Sequence, residues 1–352
     1  MMSLALRIIL TRCGKKFWAA KIGRMQHLTT FTECTMPGDS KVDAAVISDA
    51  LQTRSQSQIT FQSDGFDPWR VQPIKHRLSD HPLLQMPQLL ALADRLDVMG
   101  SIRTHSNDAA AGTPFNDATR LYPNTRSAAQ TLAEINDAKA FLSLLNVQID
   151  PLYREFVGTI LDGVRPLLEP CDPGMCYRGG WIFVSSPHTV TPFHFDKEHN
   201  FLLQIRGKKR VYVWDANDTV VANELARDRF HHCHERKLLV WNEAFRERAQ
   251  VFDLRPGEGA YMPSTSPHMV ENGDQTSVTM SFTYYTDSTR RNALLHKAHA
   301  MLREMGFVPP PVGTSSFLDD GLLLLAQARR LWRRLARRGG ESGTTAYAED
   351  DR

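Results

Sequence analysis

Apolar and polar residues follow two different rhythms along this 352-residue chain. Between residues 79 and 168 the rhythm is helical. Leu89, Leu92, Ala93 and Leu96 fall three to four apart and predict a helix over 79–96, with Ser79 or Asp80 as its cap. Leu132, Ile135, Leu142 and Leu145 form one stripe, which predicts a second helix over 127–146. Asp150 followed by Pro151 reads as an N-cap with proline at the first helical position, so a third helix should run to Leu168. The intervening segment 104–126 is rich in Asn, Asp, Gly, Pro and Thr and reads as irregular.

From 175 to 287 the rhythm shortens. Short β-rich runs appear at Trp181–Val184, Asn200–Ile205, Arg210–Trp214, Gln250–Leu254, Gly259–Met262 and Thr276–Tyr285, punctuated by Gly207, Pro256-Gly257 and Gly273. Ile59-Thr-Phe61 opens an earlier short strand. Many short strands with turn signals predict a mainly β fold with helical flanks, of the double-stranded β-helix or jelly-roll kind. Helical spacing returns over 289–305 and again over 317–338. The chain thus divides into a basic then polar extension (1–58), either disordered or preceding the natural start, a mixed strand and helical flank (59–170), a jelly-roll core (171–287) and C-terminal helices with a basic tail (288–352).

Charge sharpens this division. The net charge is only +3, yet residues 1–24 carry six basic side chains and no acid, and residues 326–352 carry seven arginines against four acids. The body from 25 to 325 is therefore −6, which argues against nucleic-acid binding by the core. The arginine-rich amphipathic pattern over 322–338 predicts a helix that docks on the domain or on a second copy in a homodimer, with contact to an anionic membrane or nucleic acid as the alternative. No apolar run reaches membrane-spanning length. Five scattered cysteines suit a reducing compartment rather than a disulfide framework, so a cytoplasmic location is expected.

Candidate chemistry lies in Thr191-Pro-Phe-His-Phe-Asp196. On a strand, His194 and Asp196 would share one face, because side chains alternate with period two. A single strand over Thr191–Ile205 would also align Asn200, Leu202 and Gln204 with them, against an apolar Phe195, Phe201, Leu203 and Ile205 face. Pro256-Gly-Glu-Gly-Ala-Tyr-Met-Pro263 reads as turn, strand and stop, and His268 follows five residues later. Two histidines and a carboxylate form the facial triad of non-haem iron(II) oxygenases. Lys209 shares parity with Val211 and Val213 and would point into an apolar barrel, where an unpaired ammonium is costly. His231-His-Cys-His234 is a second metal-like cluster, expected in a surface loop.

The segment from Thr191 to Arg210, with the block from Pro256 to His268, resembles the JmjC/cupin-like iron(II)- and 2-oxoglutarate-dependent oxygenases. The pattern is closest to that of the asparaginyl hydroxylases acting on hypoxia-inducible transcription factors. The resemblance covers about 175–287. It implies His194, Asp196 and His268 as iron ligands, with Thr191 and Lys209 holding the distal carboxylate of 2-oxoglutarate and Asn200 close to it. The last-strand position that the family fills with asparagine is Ser281 here, and Tyr177 is a candidate for the family's cosubstrate tyrosine. The implied activity is hydroxylation of a protein side chain or a small metabolite. The open alternatives are a metal-binding cupin-like protein without turnover, and a metal-dependent cupin enzyme that does not use 2-oxoglutarate.

Overall fold

The computed structural model describes residues 57–61 and 65–338, the side chains of 327 and 329–338 excepted. Of the extension read over 1–58, residues 1–56 lie outside the described residues, as does 339–352 of the basic tail.

Strands are numbered along the chain. The larger sheet runs β1 (Ile59–Phe61), β2 (Gln72–His76), β10 (Glu258–Met262), β7 (His199–Arg206), β12 (Ser277–Tyr285), β5 (Cys176–Ser185), β4 (Ala140–Leu144) and β3 (Ile102–Ser106). The smaller runs β6 (Val190–His194), β11 (His268–Asn272), β8 (Lys209–Val213) and β9 (Gln250–Leu254). All neighbours are antiparallel, and the two sheets make the jelly roll. The helices are α1 (Met86–Val98), α2 (Ala118–Leu121), α3 (Ala128–Ala133), α4 (Pro151–Leu168), α5 (Glu224–Cys233), α6 (Asp287–Glu304) and α7 (Ser316–Arg338).

Period-two alternation divides the two faces of the larger sheet between different tasks. Phe201, Leu203 and Ile205 of β7, with Met280, Phe282 and Tyr284 of β12, face outward and pack against α1 and α4 in one core. Leu89, Leu92 and Leu96 of α1 and Phe156, Ile160 and Val164 of α4 complete it. Each such side chain contributes about 1.5–3 kcal/mol relative to exposure. The opposite face turns Leu202 and Met262 toward the smaller sheet, where they meet Val211, Val213, Leu254 and Val270. This second, smaller cluster lines the barrel interior.

Four sequence expectations fail for identifiable reasons, the first being the surface loop expected at His231–His234, where α5 runs to Cys233 and packs against α6, burying His231. The helix expected over 127–146 is the short α3, a turn and then β4. Lys139, at φ 49°, reverses the chain, and every residue of Ala140–Leu144 is buried: Leu142 and Leu144 join the helix-packed core on one face, and Phe141 stacks with His105 and Phe183 on the other. A strand covered on both faces has a continuous apolar run, which periodicity alone cannot tell from a helix. The helix expected from 79 starts only at Met86, after a 3-10 turn at Pro82–Leu84 and with Pro87 in its first turn. The single strand expected over Thr191–Ile205 is two strands in different sheets: β6 ends at His194 and β7 starts at His199. The N-cap expectation holds, since Asp150 accepts from the backbone N–H of Leu152 and Tyr153. No helix among the described residues is long and apolar enough to cross a membrane.

Candidate metal centre

His194 ends β6 and His268 opens β11, and the two are direct cross-strand partners. Their rings stand 4.1 Å apart. Asp196 lies two residues beyond β6 in the turn to β7, so the turn rather than strand alternation brings its carboxylate back to the histidines. Its Oδ2 is 3.8 Å from Nε2 of His194 and 3.8 Å from Nε2 of His268. The loop before His268 is tied to that turn. Thr265 N–H donates to the Asp196 carbonyl at 2.8 Å, and Ser264 Oγ donates to the Lys197 carbonyl at 2.6 Å. Thr265 has φ 60°, a left-handed conformation that a β-branched residue adopts at a cost of about 1–3 kcal/mol.

The hydrogen bonding leaves three donor atoms facing one point. Nδ1 of His194 lies 2.7 Å from the Pro192 carbonyl, and Nδ1 of His268 lies 3.0 Å from the Ser266 carbonyl. A carbonyl only accepts, so each Nδ1 carries the proton and each Nε2 keeps its lone pair. Burial, and for His194 also the neighbouring His268, pushes both imidazoles below the ordinary histidine range, which keeps them neutral. For Asp196, burial would raise the pKa, but His194, Arg236 and His268 outweigh it and hold the carboxyl below its ordinary value. Two neutral imidazoles and one carboxylate within 4.8 Å of one another fit a divalent transition metal.

Two side chains that sequence reasoning missed build the wall of this centre. Arg236 donates from Nη2 to Asp196 Oδ1 at 2.9 Å, from Nε to the Phe195 carbonyl at 3.0 Å and from Nη1 to Asn116 Oδ1 at 2.9 Å. Phe115 stacks on His194 at 3.8 Å and 8°, and the Arg236 guanidinium lies 5.2 Å from the centre of the Phe115 ring. Both come from segments without strong pattern, the irregular stretch before α2 and the turn after α5. No local signal marked either one.

The other predicted residues occupy the barrel interior. Two steps along β11, from His268 to Val270, oppose three along β6, from His194 back to Thr191. This bulge at Pro192-Phe193 restores Thr191 to the face of His194, although their spacing in sequence would separate them. Lys209 pairs across β8 with Asn272 and Leu254, two steps from the Val211–Val270 pair and four from the Val213–His268 pair. Thr191, His194, His268 and Lys209 therefore share one face of the smaller sheet. Lys209 is buried while Arg206, Lys208 and Arg210 are exposed. Its ammonium has no hydrogen-bond or ion-pair partner among the described residues, and burial lowers its pKa to about 7. Asn200 and Ser281 lie on the inward face of the larger sheet, flanking Leu202 along and across the strands. Asn200 Oδ1 and Ser281 Oγ are buried without a hydrogen-bond partner. Tyr177 is half exposed and packs edge-on against Tyr285, outside this group.

The interior therefore offers a metal triad at one end, a lone ammonium at the other and apolar walls between. A dicarboxylate with a metal-binding oxo acid end fits that donor set, because an unpaired buried charge and orphaned hydroxyls are costly until a ligand answers them.

A family model described as a Cupin-like domain matches residues 101–290, extending the sequence-level resemblance N-terminally through β3, β4 and α4. No curated protein matches the chain. Among solved structures, one described as E. coli ycfD is 17% identical over 81% of this chain and 67% of its own, with a TM-score of 0.38. Another, YcfD, a ribosomal oxygenase from Escherichia coli in complex with cobalt and 2-oxoglutarate, is 16% identical over 81% and 66%, with a TM-score of 0.37. A DMSP lyase, DddQ from Ruegeria pomeroyi DSS-3, is 12% identical over 31% of this chain and 38% of its own, with a TM-score of 0.21. A further E. coli YcfD structure is spanned over only 47% of its length.

Proposed function

Because this chain belongs to the Cupin-like domain family, whose model matches residues 101–290, we propose that it is an iron(II)- and 2-oxoglutarate-dependent oxygenase that hydroxylates a protein side chain or a small metabolite. The observation that carries this reading is Lys209: a buried, unpartnered ammonium on the same sheet face as His194 and His268. A metal-binding protein without a dianionic cosubstrate has no use for that charge.

Iron would be held by His194 Nε2, His268 Nε2 and Asp196 Oδ2. When bound with 2-oxoglutarate, it supplies the oxidising chemistry, coupling oxidative decarboxylation of the oxo acid by dioxygen to hydroxylation of a C–H bond. The chain does the rest. Lys209 neutralises the distal carboxylate, and the Thr191 hydroxyl donates to it from the same face. Ser281 Oγ and Asn200 Oδ1 gain the polar neighbours they lack. Val211, Val213, Val270 and Leu202 exclude water, which strengthens each of these contacts. Arg236 fixes Asp196 so that Oδ2 alone faces the metal.

The test loads purified full-length protein anaerobically with iron(II) and 2-oxoglutarate, looks for a visible charge-transfer band, and then measures succinate after oxygen is admitted. The expected result is a band and succinate in the wild type, neither in His194→Ala, and both reduced at limiting cosubstrate in Lys209→Met. Iron binding with no band, no succinate and no effect of Lys209→Met would sink the reading.

A further inference from the structure

Helices α5 and α6 bury a second set of metal-competent side chains that the proposed oxygenase chemistry leaves unused. Glu224, Asp228 and His231 follow the i, i+4, i+7 spacing that places them on one face of α5. His296 and His299 follow i, i+3 on α6, which packs against it. Asp228 is fully buried, and His231, His296 and His299 are 3%, 7% and 1% exposed. Ligand atoms of Glu224, Asp228 and His296 lie within 4.8 Å of one another.

The polar contacts of this cluster are incomplete in a specific way. Asp228 Oδ1 accepts from His296 Nδ1 at 2.8 Å and lies 3.9 Å from His299 Nδ1. Asp228 Oδ2 accepts from Arg303 at 2.7 Å. Glu224 Oε1 accepts from Arg227 at 3.1 Å. Glu224 Oε2, His231 Nδ1 and His299 Nδ1 are buried with no hydrogen-bond partner. Each carboxylate thus has one oxygen braced by an arginine and the other turned to histidines or left alone. Asp196 is divided in the same way between Arg236 and the two histidines of the metal centre. A buried ion pair alone would explain Arg303, but not the orphaned Glu224 Oε2 and His299 Nδ1 on the same two packed helices.

We propose that Glu224, Asp228 and His296 form a second, structural site for a divalent transition metal of the zinc type, completed by His299, whose Nδ1 lies 3.9 Å from Asp228 Oδ1. Mixed imidazole and carboxylate donors in a closed four-ligand arrangement suit that ion. The site clamps α5 to α6. Because α5 leads through His234 directly to Arg236, the clamp also steadies the guanidinium that holds Asp196.

The test strips metal from the full chain, re-equilibrates it with zinc(II), removes excess, and measures metal per chain by elemental analysis. Wild type should hold two equivalents. The double variant His194→Ala/His268→Ala should retain one, and should lose it when Glu224→Gln and His299→Gln are added. Glu224→Gln alone, at a half-buried position, gives a version with less effect on folding, and should lower affinity for the retained equivalent by at least tenfold with an unchanged circular dichroism spectrum. Thermal unfolding of the His194→Ala/His268→Ala variant should move upward on zinc addition. A double variant that holds no metal, or a retained equivalent indifferent to Glu224 and His299, overturns the proposal. Either result leaves the first centre countable on its own in the wild type.

Discussion

Arg236 Nη2 donates to Oδ1 of Asp196 at 2.9 Å, and this bond decides which oxygen of the carboxylate faces His194 and His268. The guanidinium is itself locked by the Phe195 carbonyl and by Asn116, so all three of its arms are used. Truncation to Arg236→Ala should weaken metal binding by about 10–100-fold, the range seen when groups orienting a ligand are lost. Arg236→Lys should restore little, because an ammonium cannot span three acceptors in fixed directions. Competition titration with a chelator measures both. Wild-type affinity in Arg236→Ala would show that the turn alone orients Asp196.

Lys209→Met keeps the length of the side chain and removes a charge that has no protein partner. Cosubstrate affinity should fall by about 10–150-fold, corresponding to a charge-assisted contact of about 1.5–3 kcal/mol. Thermal stability of the protein without cosubstrate should not fall. A drop in melting temperature with unchanged 2-oxoglutarate KM would make Lys209 a structural residue.

The same lysine predicts a pH dependence with a definite sign. Its folded pKa is lowered from 10.5 to about 7 by burial, so between these values the unfolded chain binds more protons than the folded one. Stability contributed at this site therefore rises with pH across that window and is lowest below it. The melting temperature of Lys209→Met should exceed that of wild type most below pH 7, and the gap should narrow from there toward pH 10, as followed by circular dichroism. A gap that widens with pH contradicts the assignment.

Ser281→Ala removes a buried hydroxyl that has no hydrogen-bond partner. Stability should be unchanged or higher by up to about 1 kcal/mol, since an unsatisfied buried polar group is being deleted. The KM for 2-oxoglutarate should rise severalfold while metal affinity stays the same. Denaturant titration and steady-state kinetics separate the two effects.

Asp150→Ala should cost about 0.5–2 kcal/mol of stability through loss of the α4 cap. Its carboxylate also pairs with Arg95 at 2.6 Å, which favours the upper part of that range. Metal affinity and cosubstrate KM should not change, because α4 packs on the outer face of the larger sheet. Chemical denaturation against kinetic constants is the check.

What the chain reveals locally depends on how local the cause is. The cap at Asp150, the strands Gln250–Leu254 and β12, and the inward parity of Lys209, Val211 and Val213 follow from neighbours within a few residues. The β4 strand was hidden because its burial on both faces erases alternation. The early end of β6 was hidden because Phe195 and Phe201 keep an apolar rhythm across a turn that moves the chain from one sheet to the other. His231 was expected on a surface loop, yet it lies buried near the end of α5, since its burial comes from α6, 65 residues onward to His296, which it stacks on at 5.0 Å.

The sequence by itself determined the donor types: two histidines and an aspartate with a lysine and hydroxyls in a β-rich region, because residue chemistry and short periodicities are written along the chain. Tertiary structure alone decided that these groups meet. The antiparallel pairing of β6 with β11 sets His194 against His268, a bulge returns Thr191 to their face, and Arg236 and Phe115 arrive from patternless segments. Those are contacts between distant residues, fixed by sheet closure and packing rather than by any spacing in the chain.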